Sequence, residues 1–333
     1  MHRGILLIAL VVPILAGCGT VPTDTPQRYE RAATTLPDLT GAKVVLVILE
    51  NKHADDALKQ PFLRALAEKG RYLSNYYGVA HPSQPNYVAL VSGSIAGVDG
   101  DAPATLNRDH LGKRLSDRGF SWKVYAQGYP TGQCYLKEKH LRPDSSDAIH
   151  LKTIYVRRHV PFLSFADINC EDKKRDDVEA RRRCEELCKT HITDFEAFKN
   201  DADSHSLPDF SLVIPDLYND AHDKRSPEAD ALSQADDWLM ENFKTRLDDP
   251  KFKKNVIFIV TFDENDDNWP YPKVNNKVYL ALVGEHVIPD SDRKPVAAVY
   301  DHYDLHRTIE AIFGLDSQQI APNTAVPIEG IWR

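Results

Sequence analysis

Lys43 to Leu49 reads KVVLVIL, a short run that is β-branched and apolar on both faces. That is the pattern of a strand buried in the middle of a parallel sheet, covered above and below. Asn255 to Thr261 (NVIFIVT) reads as the clearest strand of the chain, and Ser121 to Ala126, Phe210 to Ile214 and Val278 to Val283 as three more. Helical patterns separate them: Ala54 to Lys69, Ala229 to Leu247 and Tyr303 to Phe313. Strands alternating with helices predict an α/β fold with a mostly parallel central sheet flanked by helices. From Tyr129 to Pro208 the rhythm breaks down, and the charged run Glu171 to Glu186 reads as a solvated helix within an insertion at about 129–208.

The whole chain has 333 residues, 42% of them hydrophobic, enough for a closed core. A net charge of −8 excludes a surface built for nucleic acid, which needs clustered Lys and Arg. The five Cys are an odd number. Cys18 stands alone behind a polar start and an apolar run, Ile5 to Ile14, too short to span a bilayer, which takes about 20 residues. Leu15-Ala16-Gly17-Cys18 resembles the lipobox of bacterial lipoproteins, in which the cysteine is lipidated and becomes the new N-terminus. Residues 1–17 are then a lipoprotein signal peptide, 18–40 a tether and 41–333 one domain. The expected place is the periplasmic face of the outer membrane or the cell surface, anchored through Cys18. In that compartment Cys134, Cys170, Cys184 and Cys188 suggest two disulfides rather than a Cys₄ zinc site. Cys184 and Cys188 sit four apart on one helix, so each is expected to pair with Cys134 or Cys170.

The chemistry gathers where strands end. The first is followed by Glu50-Asn51; the third by Asp216, Asn219, Asp220, His222 and Asp223; the fourth by Phe262 and then Asp263-Glu264-Asn265-Asp266. Parallel strands place their carboxyl ends on one edge, where ligands bind in open α/β folds. Three acidic clusters on one edge call for a positive partner, and no Lys or Arg interrupts them. A hard divalent cation such as Mg, Ca or Mn suits carboxylate and amide oxygens better than Zn does. Ser83, in Ala80-His81-Pro82-Ser83-Gln84-Pro85-Asn86-Tyr87, is placed at the start of a helix that stops at Gly93. There a serine hydroxyl could attack an anionic substrate held by the helix N-terminus. His302, on the loop before the closing helix, could bind metal or donate a proton to a leaving group, while His306 reads as packing.

In order along the chain, Glu50-Asn51, the His81-to-Tyr87 stretch, Asn219-Asp220-Ala221-His222-Asp223, Thr261-Phe262-Asp263-Glu264-Asn265 and Tyr300-Asp301-His302-Tyr303 resemble one set. It is that of the phosphoesterase family of bacterial acid phosphatases and phospholipases C, within the alkaline phosphatase-like superfamily. Arg158-His159-Val160-Pro161-Phe162 and Ser233-Gln234-Ala235-Asp236 look familial too. The resemblance implies an α/β/α sandwich and metal-dependent hydrolysis of a small phosphate ester. Ser83 would be nucleophile and metal contact, with Glu50, Asn51, Asp263 and Glu264 holding the metal. Asn86 would bond a phosphoryl oxygen. His222 and His302 would be second-site ligands, or acid and phosphate contacts, with His81 and Asp220 as lesser candidates. Asn265-Asp266-Asp267 stands where the phospholipase branch often has His-Gly-Gly, and only a short tail follows Gly314. Both favour an acid phosphatase-like enzyme over a phospholipase C-type phosphodiesterase. A binding lipoprotein that keeps the fold without catalysis is the rival of another class.

Overall fold

The structure is a computed structural model, and it describes residues 36–144, 147–174, 176–267, 276–292, 296–316 and 325–333. The signal peptide, Cys18 and nearly all of the tether lie outside the described residues. Among the described residues no helix is long and apolar enough to cross a membrane.

Seven strands form the main sheet: β1 (Lys43–Leu49), β2 (Arg71–Tyr72), β3 (Trp122–Ala126), β4 (Ile192–Thr193), β5 (Phe210–Ile214), β6 (Val256–Phe262) and β7 (Leu280–Val283). Their order is β2-β7-β6-β1-β5-β3-β4. β1 lies at the centre, parallel to β6 on one side and to β5 on the other. Every β1 residue after Lys43 is buried, as its two-faced apolar run predicts. β7 is the exception to the parallel rule. It pairs antiparallel with β6, and β2 pairs antiparallel with it in turn.

The helices that matter below are α1 (Pro61–Lys69), α2 (Ser83–Ser92), α3 (Val178–His191), α4 (Phe195–Asp203), α5 (Ala231–Asp248) and α6 (His302–Ile312). The single helix expected over Ala54 to Lys69 is two pieces, Ala54–Ala57 and α1. Pro61 has no N–H to continue the first piece, but it suits the first turn of the second. Gln60 gives α1 no side-chain cap. Asp236 of α5 supplies it: its carboxylate accepts from Phe62 N at 2.9 Å and Leu63 N at 2.8 Å. Asp236 is buried, so removing it orphans two donors out of reach of water. Asp236→Ala is expected to cost about 1–3 kcal/mol of stability. Urea melts at an unchanged m-value check this, with Asp236→Asn losing less because one acceptor remains.

The stretch read as an insertion is less peripheral than its sequence suggests. It contains the hairpin Lys139–Asp144 with Asp147–Val156, and it also adds β4 to the edge of the main sheet and packs α4 against β3. The charged helix α3 buries only Cys184 and Cys188, and its Glu179 pairs with Arg182 and Arg183 in solvent. The disulfides are Cys134–Cys188, with Cα atoms 5.4 Å apart, and Cys170–Cys184, at 5.8 Å. Neither joins the two cysteines of α3 to each other. The first closes a sequence separation of 54 residues. Replacing both of its cysteines by serine is expected to cost about 4 kcal/mol on loop-closure grounds. Thermal melts of the oxidised proteins test that.

Candidate active site

Register brings the acidic clusters together. Leu49 pairs with Phe262, so Glu50 and Asp263 leave adjacent strands side by side. Asp263 N donates to Leu49 O at 3.0 Å, and Glu50 N to Asp220 O at 2.6 Å. The ends of β6, β1 and β5 therefore meet on one edge, and Glu50, Asp220, Asp263 and Glu264 are all buried there. Asn51 (φ 49°) and Ala221 (φ 80°) take left-handed backbone within this junction. Asn tolerates that geometry and Ala does not, so the fold holds local strain next to the acids.

Ser83 is the first residue of α2, with Gly93 as the left-handed C-cap. Its Oγ donates toward Glu50 Oε2 at 3.0 Å and lies 3.3 Å from Glu264 Oε1. Glu50 Oε1 in turn accepts from the Tyr87 hydroxyl at 2.6 Å. His81 Nδ1 contacts Glu264 Oε2. An open cleft of about 520 Å³, lined by Asn51, His81, Pro82, Glu264 and Asp266 among others, leads to this group.

Two expected substrate contacts are otherwise engaged. Asn86 is buried and bonds only its own loop. Its Oδ1 accepts from Val79 N at 2.8 Å and Ala80 N at 3.0 Å, and its Nδ2 donates to Ala80 O at 2.8 Å and Pro82 O at 3.2 Å. With all four bonds made, the amide shapes the loop before Ser83 and is not offered to a phosphoryl oxygen. His302 is also buried, its Nε2 donating to Asp263 O at 2.5 Å and its Nδ1 accepting from the Tyr76 hydroxyl at 2.7 Å. Burial pushes its pKa down to about 4, so the ring is neutral, and neither nitrogen faces a leaving group. It fixes the Asp263 backbone instead. His222 remains accessible: Nδ1 lies 2.7 Å from Asp223 Oδ1, with Nε2 on the opposite side of the ring.

His159 was given no role by the sequence reading. It is buried and stacks on Tyr87, ring centroids 5.2 Å apart. Its Nε2 is 3.2 Å from Glu50 Oε1 and its Nδ1 is 3.5 Å from Asp220 Oδ2. The His222 ring is 6.4 Å away. The signal was present in Arg158-His159-Val160-Pro161-Phe162, but it lies in a 3₁₀ turn inside the stretch without periodicity.

Burial, then Asp263 and Asp220, raise the Glu50 carboxyl well above the usual range. Asp263 is pushed up to about 8 by burial and then by Glu264, and burial leads the upward shift of Asp220. At Glu50 the nearby Arg158 offsets only part of this rise. Asn51 Oδ1, Asp220 Oδ2 and Asp263 Oδ2 are buried and accept no hydrogen bond from the described residues. Such a set of hard oxygen donors, with Ser83 Oγ beside it, fits a hard divalent cation. Among the described residues no three His, Cys, Asp or Glu side chains form a ready-made metal cage.

A protein in the alkaline phosphatase superfamily from Vibrio parahaemolyticus shares the fold at a TM-score of 0.53, with 12% identity over 89% of this chain and 74% of that one. The chain belongs to the phosphoesterase family, whose profile matches residues 52–316. It is 29% identical to the phosphate-repressible acid phosphatase of Penicillium chrysogenum, over 93% of this chain and 71% of that protein. It is 27% identical to the phosphatidylinositol-3-phosphatase of Mycobacterium tuberculosis, over 100% and 95%. It spans 63% of the length of curated relatives from Kluyveromyces lactis and Aspergillus niger.

Proposed function

We propose that this chain is a metal-dependent phosphatase that hydrolyses phosphate monoesters through a phosphoseryl intermediate on Ser83. The observation that carries the reading is Ser83 Oγ at the start of α2, within 3.0 and 3.3 Å of two buried carboxylates. Membership of the phosphoesterase family and the acid phosphatase relatives support it.

Glu50, Asn51, Ser83, Asp263 and Glu264 would hold the metal. When bound, it lowers the pKa of the serine hydroxyl and neutralises charge on the phosphoryl oxygens. The chain's own groups do the rest. The Ser83 proton passes to the Glu50 or Glu264 carboxylate as Oγ bonds to phosphorus and the ester P–O bond breaks in line. His222 Nε2, with Nδ1 oriented by Asp223, protonates the departing alkoxide. Water then attacks the phosphoserine from the vacated side, giving a proton back to His222, as the P–Oγ bond breaks and Ser83 takes its proton from the carboxyl that received it. The amino end of α2 favours the anion throughout.

Export and lipidation at Cys18 belong to the same proposal, and two disulfides accord with an oxidising compartment. Release of inorganic phosphate from p-nitrophenyl phosphate, set beside headgroup release from phosphatidylcholine, tests the reaction class. Turnover of the monoester alone supports the phosphatase; turnover of the lipid alone replaces it with a phospholipase C.

A further inference from the structure

In the motif Ser233-Gln234-Ala235-Asp236, Asp236 caps α1 and Ala235 is fully buried. Ser233 closes the amino end of its own helix, its N and Oγ donating to Asp230 Oδ2 at 2.9 and 2.6 Å. The Gln234 side chain bonds neither helix. Its Nε2 donates to Tyr218 O at 2.9 Å and to Asp223 O at 3.1 Å, and its Oε1 accepts from Arg225 N at 2.9 Å. All three bonds leave α5 and run to the backbone of one loop, the segment 215–230 between β5 and α5.

The two halves of that loop are held differently. Before Ala221 it is held from the sheet. Glu50 N donates to Asp220 O at 2.6 Å, and Gln127 Oε1 accepts from Asp216 N at 3.1 Å and from Asn219 Nδ2 at 3.0 Å. At Ala221 the backbone turns left-handed, at φ 80°, a geometry that alanine keeps only under restraint. Gln234 restrains the far side of that turn, at Asp223 and Arg225, and ties it back to Tyr218 on the near side. His222 lies inside this bracket. Its Nδ1 is 2.7 Å from Asp223 Oδ1, so the residue that orients the ring is itself held through its carbonyl by Gln234. The His222 and Asp223 side chains are 34% and 40% exposed, so packing alone does not fix them.

We infer that Gln234 is a positioning residue of the reaction: it holds the Asp223–His222 pair so that His222 Nε2 meets the leaving-group oxygen. The inference rests on the phosphate-ester reading and deepens its acid step. The proton leaves Nε2 for the oxygen as the ester P–O bond breaks, and a misplacement of about 1 Å at such a step costs about 10²-fold. The cost depends on the leaving group. An alkoxide is too strong a base to depart without that proton, whereas p-nitrophenolate departs without it.

The quantity to measure is kcat/KM, which reports the half-reaction in which the leaving group departs, for glycerol 3-phosphate and p-nitrophenyl phosphate. Gln234→Met, similar in length but without the amide, is expected to lower the first by about tenfold or more and the second by less than about twofold. Gln234→Glu keeps the acceptor for Arg225 N, loses both donors and suits the first turn of a helix, so it gives the same split should the methionine variant not fold. In a His222→Ala background neither substitution should add to the loss. Equal losses on the two esters, no loss on either, or a loss that adds to that of His222→Ala overturns the inference. Hydrogen exchange followed by mass spectrometry is the second arm. Amides at 217–225 are expected to exchange faster in the variant while those of α5 keep their rates, and unchanged exchange at 217–225 overturns the clamp. A wild-type chain that hydrolyses neither ester marks failure of the phosphate-ester reading instead, and exchange alone then decides the clamp.

Discussion

Ser83→Ala is expected to abolish turnover while leaving the fold intact. Nucleophile removal in serine hydrolases lowers kcat by about 10⁴–10⁶, because what remains is binding and electrostatic stabilisation alone. The fold should survive for local reasons. Ser83 is the first residue of α2 and its side chain caps no backbone donor there. Alanine is the best helix former, and the lost contacts run to carboxylates that retain other partners, Tyr87 on Glu50 and His81 on Glu264. Circular dichroism and the melting temperature should match the wild-type chain while phosphate release disappears. Substantial turnover in a correctly folded variant would remove Ser83 from the chemistry.

The second large effect concerns the metal. Glu50, Asp220, Asp263 and Glu264 are buried together, and like charges so placed cannot all ionise. Dialysis against a strong chelator is expected to remove activity and to lower the melting temperature. Re-addition of Mg, Ca or Mn should restore both. A ligand present at 100 times its Kd contributes about 2.7 kcal/mol to stability, so the shift should be easily measured. An Asp263→Asn variant should respond far less to added cation in the same melt. Full activity after exhaustive chelation would end the metal proposal.

The central strands were legible because β1, β5 and β6 are nearly continuous apolar runs, a pattern that only a sheet covered on both faces produces. That their carboxyl ends would share an edge followed from parallel pairing. The antiparallel direction of β7 was not legible, since a four-residue apolar run reads alike in either direction. The break at Pro61 is marked in the sequence by the proline itself, which lacks the N–H to continue the preceding turn. At the site, residue types were readable and their occupancy was not. Asn86 and His302 look like free polar groups in a sequence, but the loop Val79–Pro82, Tyr76 and the Asp263 carbonyl take all their bonds. His159 escaped for the opposite reason. It reaches Glu50 from a 3₁₀ turn whose position depends on tertiary packing against Tyr87, and no periodicity announces that.

The central claim is that Ser83 carries the phosphoryl group between the two half-reactions. Acid quenching during steady turnover of a phosphomonoester, followed by peptide mass spectrometry, tests it most directly. A phosphoryl group on the peptide containing Ser83, absent from untreated protein and from Ser83→Ala, is the predicted result. A phosphoryl group on another side chain, or turnover with Ser83 never modified at any quench time, would contradict it.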